Sequence, residues 1–88
     1  MMVSNLEFIN ITMTSLKRIS ENSKVQFKTF KKDRKVEIIK LKEGFTIIEK
    51  GFRDTTFENL DYKEVKKHLK DIQKIEFPRS NKLWYKIV

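Results

Sequence analysis

Lys31, Lys32, Arg34 and Lys35 stand within five consecutive positions, interrupted only by Asp33. Ammonium and guanidinium groups at that density suit attraction of an anion, and above all a polyanion, whose condensed counterions are released on binding. Lys28 lies just upstream, and Arg79 and Lys82 form a second basic group near the C-terminus. Next to it is Trp84, the only tryptophan, set between Lys82 and Lys86 in the stretch "FPRSNKLWYKIV". An aromatic ring flanked by lysines suits stacking on a base while the cations follow a phosphate backbone. The ring also has a plainer use, covering a sheet edge or packing on the N-terminal helix to add core area to a small protein.

Residues for covalent or acid–base chemistry are sparse. The absence of cysteine excludes disulfides, thiolate metal sites and cysteine nucleophiles. His68 is the only histidine and cannot build a histidine-rich metal site. Asp61 and Glu64 form a carboxylate pair three residues apart, but that spacing at a helix start is a capping arrangement. Ser80 has neither a nearby histidine nor a glycine elbow. Neither a phosphate-binding G-x-x-x-x-G-K-[ST] loop nor a dinucleotide fingerprint occurs. The expectation is a non-enzymatic protein with no cofactor and no metal.

The 88 residues suit a single domain spanning 1–88, and 39% hydrophobic residues allow only a thin core. No apolar run reaches membrane-spanning length, and the N-terminus lacks the charged start and apolar core of a signal peptide, so a cytoplasmic protein is expected. The net charge of +8 is unevenly placed. Residues 1–23 are neutral, 24–42 hold eight Lys/Arg against Asp33 and Glu37, 43–61 are net acidic, and 62–88 again hold eight Lys/Arg against three acids. Two basic segments bracket an acidic one, and folding can bring them to one side.

The elements that must position these groups follow from periodicity. Leu6 to Thr12 reads as a short strand, followed by a short helix capped by Thr14 or Ser15 and carrying Met13, Leu16 and Ile19 at helical spacing. Lys24 to Phe30 alternates, with Val25 and Phe27 on one face and Lys24, Gln26 and Lys28 on the other. A turn at Lys31–Arg34 returns the chain as Lys35 to Lys42, and Glu43-Gly44 leads into a third strand, Phe45 to Phe52, with Gly44 supplying positive φ. Val36 and Ile38 break step with Ile39 and Leu41, which implies a bulge or a strand covered on both faces. Gly51 to Leu60 reads as a connection. Asp61 then caps a helix whose buried stripe is Tyr62, Val65, Leu69 and Ile72, with Lys63, Lys66, Lys67 and Lys70 off it. Lys74–Phe77 and Lys82–Val88, around the turn Pro78–Asn81, read as a closing hairpin. The sum is an α+β fold: a small antiparallel sheet of five to six strands with two helices packed on one face.

Two resemblances bear on function. "PRSNKLWYKIV" resembles the strand R-x-x-x-x-x-L-V-Y-x-V of the RelE-type ribonuclease toxins, which are also small, basic α+β proteins. It implies a ribonuclease and carries no catalytic residue over, because in that family further strands follow this one. The element order over residues 15–88 is similar to that of the double-wing DNA-binding domain of a phage middle-promoter activator. That likeness implies a concave sheet and hairpin tips laid on DNA.

The leading expectation is therefore nucleic-acid binding, DNA or RNA, with Lys28, Lys31, Lys32, Arg34 and Lys35 on phosphates, Arg79 and Lys82 as a second contact, and Trp84 as a stacking platform. The alternative is a small protein-binding module or inhibitor of phage or plasmid type, docking its basic face on an acidic partner. No membrane partner is expected, and the sequence leaves oligomeric state open.

Overall fold

The computed structural model describes residues 1–78 and 82–88. In chain order these form β1 (Met2–Ser4), a 3-10 turn (Asn5–Glu7), α1 (Phe8–Arg18), β2 (Lys24–Thr29), β3 (Lys35–Leu41), β4 (Gly44–Lys50), β5 (Asp54–Leu60), α2 (Tyr62–Glu76) and β6 (Lys82–Ile87). The six strands make one antiparallel sheet in the order β1-β6-β2-β3-β4-β5. Strands β2 to β5 form a meander, and β6 returns after α2 to fill the place between β1 and β2.

Both helices pack on one face. Val25, Phe27, Val36, Ile38, Ile47 and Leu83 from the sheet are fully buried against Phe8 and Leu16 of α1 and Val65, Leu69 and Ile72 of α2. The ring of Phe8 sits edge-on to Phe27 at 4.8 Å and to Phe77 at 5.3 Å, which suits the aromatic quadrupole. Polar contacts fix the layers to each other. The Tyr62 hydroxyl donates to the Met13 carbonyl (2.6 Å), Ser15 and Tyr85 share a hydroxyl hydrogen bond (2.7 Å), and Gln73 donates to the Asn5 carbonyl (2.8 Å). The capping box at α2 is complete: Glu64 N–H donates to the Asp61 carboxylate, and Asp61 N–H to the Glu64 carboxylate.

Several local expectations are corrected. Leu6–Thr12 is not a strand; helix begins at Phe8, well before Thr14. Phe8, Thr12, Met13, Ser15 and Leu16 form its buried stripe, and the Thr12 hydroxyl is satisfied by the Phe8 carbonyl at 2.8 Å. The apolar pair Ile9 and Ile11 flanks that stripe and imitates a strand's alternation.

The step between Val36/Ile38 and Ile39/Leu41 is not a bulge. Pairing runs without a break along β3 on both sides, so Val36 and Ile38 face the helices while Ile39 and Leu41 lie on the opposite face. The bulge is in β5 instead, where register shifts between the pairs Ile47–Phe57 and Phe45–Leu60 and Asn59 takes φ 57°. Residues 54–60 therefore form an edge strand rather than a connection. Its Asp54, Glu58 and Asn59 hide it from a propensity reading.

Lys74–Glu76 completes α2, so there is no strand there to make a closing hairpin. Four strands separate the helices and one follows, which removes the element order behind the double-wing likeness. Gly44 sits at φ 153°, as its turn requires, and a Cβ there would meet the Leu60 carbonyl oxygen at 2.9 Å. Among the described residues no helix is long and apolar enough to cross a membrane.

Candidate nucleic-acid interface

Alternation along each strand sends one set of side chains toward the helices and the other to the opposite face. Among the described residues no helix or strand covers that opposite face. In β6, Leu83 and Tyr85 point inward, so Lys82, Trp84 and Lys86 point outward. In β2 the outward set is Lys24, Gln26 and Lys28.

Cross-strand register then aligns outward residues from four strands. Trp84 lies opposite Lys28, Lys28 opposite Lys35, and Lys35 opposite Lys50. Neighbours in such a row are spaced by about 4.8 Å. Three lysines thus stand side by side in a line that begins at an indole. Like charges directly opposite each other destabilise a sheet, so this row is unfavourable to the isolated fold. Its counter-charges are Asp54, directly opposite Lys50 on β5, and Glu37 in the adjoining row, 3.9 Å from the Lys35 ammonium and 2.8 Å from that of Lys24. Burial works to raise the Glu37 carboxyl, but hydrogen bonds from Lys24 and Gln26 and the charges of Lys24 and Lys35 outweigh it and hold the group below its usual range. Among the described residues, neither Lys28 nor Lys50 has an acid within ion-pair distance.

The indole end is built as carefully. Trp84 Nε1 donates to the Phe30 carbonyl (3.1 Å), which fixes the ring's position. Phe30 lies nearly parallel to it, 14° between planes and 6.3 Å between centroids, while remaining 66% exposed. The Lys32 ammonium sits over the indole at 5.1 Å. Lys32 itself adopts φ 62°, a left-handed conformation that a lysine takes only at some cost. Met1, Gln26, Lys28, Lys32, Trp84 and Lys86 border a depression of about 260 Å³. Trp84 therefore neither packs on α1 nor serves the core.

The expected contact residues divide. Lys28, Lys32, Lys35, Lys82 and Trp84 come together on or beside the outward face, and Lys31 is exposed at the tip of the β2–β3 turn. Arg34 is drawn to the helix side. Its Nη1 donates to the Glu76 carbonyl (3.0 Å), its Nε lies 3.9 Å from the Glu76 carboxylate, and its guanidinium covers Phe52 at 5.9 Å. It closes the C-terminus of α2, where carbonyls lack intrahelical partners. Arg79 lies outside the described residues. The helix lysines Lys63, Lys66, Lys67 and Lys70 are exposed on α2, away from the row.

Lys86 shares the outward face with Trp84 as its spacing implied, whereas Lys50 and Phe30 were not expected at this site. Lys50 was legible in principle: a two-residue turn at Lys42-Glu43 pairs Leu41 with Gly44 and so carries Lys35 to Lys50. Phe30 had no such signal, because only the approach of β6 makes it an aromatic neighbour.

A second charged cluster lies on the helix side and is structural. Glu76, 1% exposed, accepts from the Phe52 and Arg53 amides (2.8 and 3.0 Å), and Arg53 clasps the fully buried Glu49 with two hydrogen bonds (3.0 and 2.9 Å). Burial pushes the Glu49 carboxyl up. Burial opposes ionisation of Glu76 as well, but the hydrogen bond with Glu49 and the two amides prevail and hold it low. A Cβ on Gly51 would run into the Glu76 carboxylate and the Arg34 side chain, so the β4–β5 turn closes on this cluster only with glycine there. No protein-family model matches the chain, and no curated protein or solved structure matches it either.

Proposed function

We propose that this protein binds nucleic acid through the uncovered face of its sheet, without catalysing a reaction on it. The observation that carries the reading is the direct cross-strand alignment of Lys28, Lys35 and Lys50 beside Trp84. Aligned ammonium groups oppose folding through mutual repulsion, relieved in part by Asp54 opposite Lys50 and by Glu37 near Lys35. A phosphate chain laid along them removes that repulsion and releases counterions, so the arrangement favours the bound state. Lys32, Lys82 and Lys86 extend the positive field around the row, and Lys31 offers a further contact from the turn tip.

The test is salt-dependent binding of oligonucleotides to wild type and to two triple variants. Replacing Lys28, Lys35 and Lys50 by Gln should flatten the slope of log affinity on log salt by roughly 2 to 3, from about 0.7–0.9 per phosphate contact. Replacing Lys66, Lys67 and Lys70 by Gln should leave the slope nearly unchanged, because those residues lie on α2 and mix with Glu64 and Asp71. Equal effects of the two triples would dismiss the sheet face as the site. If wild type binds neither DNA nor RNA at low salt, the reading fails, and an acidic protein surface becomes the partner to test.

A further inference from the structure

Resting on that reading, we infer that the ligand is a single strand of nucleic acid, with one base stacked on Trp84 and the following phosphates carried along Lys28, Lys35 and Lys50. Three observations lead there.

Only one row of the face aligns lysines on neighbouring strands. The adjoining outward row runs Lys86, Gln26, Glu37, Ile48 and Thr56, with a carboxylate at its middle and an apolar side chain beside it. A duplex lying on the sheet brings two phosphate chains, and only one row of aligned lysines is there to receive them. A single chain needs only that row, which Asp54, opposite Lys50, closes at the β5 edge. From Trp84 to Lys50 the line spans roughly 14 Å, three strand spacings of about 4.8 Å, enough for a few nucleotides.

The aromatic group is on the contact face and held in place. In a duplex, base faces are stacked on one another and closed to side chains, whereas single-strand recognition relies on bases stacked on aromatic rings. Trp84 is locked by its hydrogen bond to the Phe30 carbonyl, and the parallel Phe30 ring, 66% exposed, extends the aromatic surface.

The occupant of the indole face is a cation already suited to the exchange. The Lys32 ammonium rests on that face at 5.1 Å. A base taking its place leaves Lys32 beside the base's own phosphate, so the displaced cation gains a charge-assisted hydrogen bond for the contact it loses.

Trp84 is the only tryptophan, so its fluorescence reports the contact directly. Four probes of about twelve units separate the possibilities: oligo-dT, oligo-rU, a blunt DNA duplex and inorganic polyphosphate. Both single strands should bind more tightly than the duplex and quench Trp84, and polyphosphate should bind the lysines without quenching. The dT and rU arms show which sugar is preferred. Trp84→Ala should weaken single-strand affinity roughly 5- to 150-fold while leaving polyphosphate affinity unchanged. If that variant fails to fold, Phe30→Ala and wild-type quenching decide the matter. Duplex affinity equal to single-strand affinity, or single-strand binding that leaves the indole unquenched, overturns this inference and leaves nucleic-acid binding standing. Polyphosphate affinity matching that of both oligonucleotides, with no quenching by any probe, reduces the site to a polyanion surface and overturns it too. Failure of every oligonucleotide to bind at low salt removes the underlying reading itself.

Discussion

Lys28 lies directly opposite Lys35 across the β2–β3 ladder, on the face opposite the two helices. Such a pair costs stability in the free protein, by about 0.2–1 kcal/mol relative to a neutral pair. Lys28→Thr removes the repulsion and substitutes a residue favoured in strands. Chemical denaturation should show stability raised by a few tenths of a kcal/mol or more, while oligonucleotide affinity falls. A variant that lost both would mean that Lys28 serves the fold.

The Lys32 backbone conformation offers a second separation of fold from function. At φ 62° a β-carbon is strained by about 1 kcal/mol, and glycine is not. Lys32→Gly should therefore melt no lower than wild type. It should bind oligonucleotides more weakly, because the cation over Trp84 is gone. A clear drop in melting temperature would show that the Lys32–Trp84 contact outweighs the backbone strain.

Arg34 and Lys31 are neighbours in the basic run but should behave differently. Arg34→Ala exposes the end of α2 and unpairs Glu76, so it should destabilise the fold by about 1–3 kcal/mol while leaving the salt slope of binding intact. Glu76→Ala should cost more, about 2–5 kcal/mol, because the Phe52 and Arg53 amides lose their acceptor inside the protein. Lys31→Ala should do the reverse of Arg34→Ala, with stability kept and the slope flattened by up to one contact. Urea melts and salt titrations of the same three proteins check all of this.

Stability should fall in acid with an identifiable contribution from Glu37. Its folded pKa lies below the ordinary value of 4.5, so the stability it adds is fully present above pH 4.5 and is lost as pH drops through the folded value. Asp33, held low chiefly by its hydrogen bond from Thr29, acts with the same sign. Glu49 acts oppositely: its carboxyl is pushed up by burial, so its contribution is complete below 4.5 and fades as pH rises through the folded value. Melting temperatures measured from pH 7 down to pH 3 should decline below about 4.5. Glu37→Gln should make the decline shallower. An identical decline in that variant would place the acid sensitivity elsewhere.

The sequence by itself determined what depends on neighbours a few residues apart. The 3.6-residue stripe of α2, the Asp61–Glu64 capping box, the alternation of Lys24 to Thr29 and the turns around Lys32 and Gly44 are all short-range patterns, and each is present in the fold. So was the α+β class with helices on one face, because those patterns leave one apolar face per element to be covered. Tertiary structure decided what depends on register between distant segments. Trp84 meets Lys28 only because β6 enters between β1 and β2, a pairing that no local period encodes. Arg34 looked like another member of the basic run until the end of α2 came within 3.0 Å and offered it unpaired carbonyls. Asp54–Leu60 mixes strand-favouring Thr55, Thr56 and Phe57 with unfavourable Asp54, Glu58 and Asn59, and is held in the sheet by pairing with β4 along one edge. Side-chain chemistry is written residue by residue, but which cations share a face is settled by hydrogen-bond ladders that close over tens of residues, and their register is chosen by burial of the whole core.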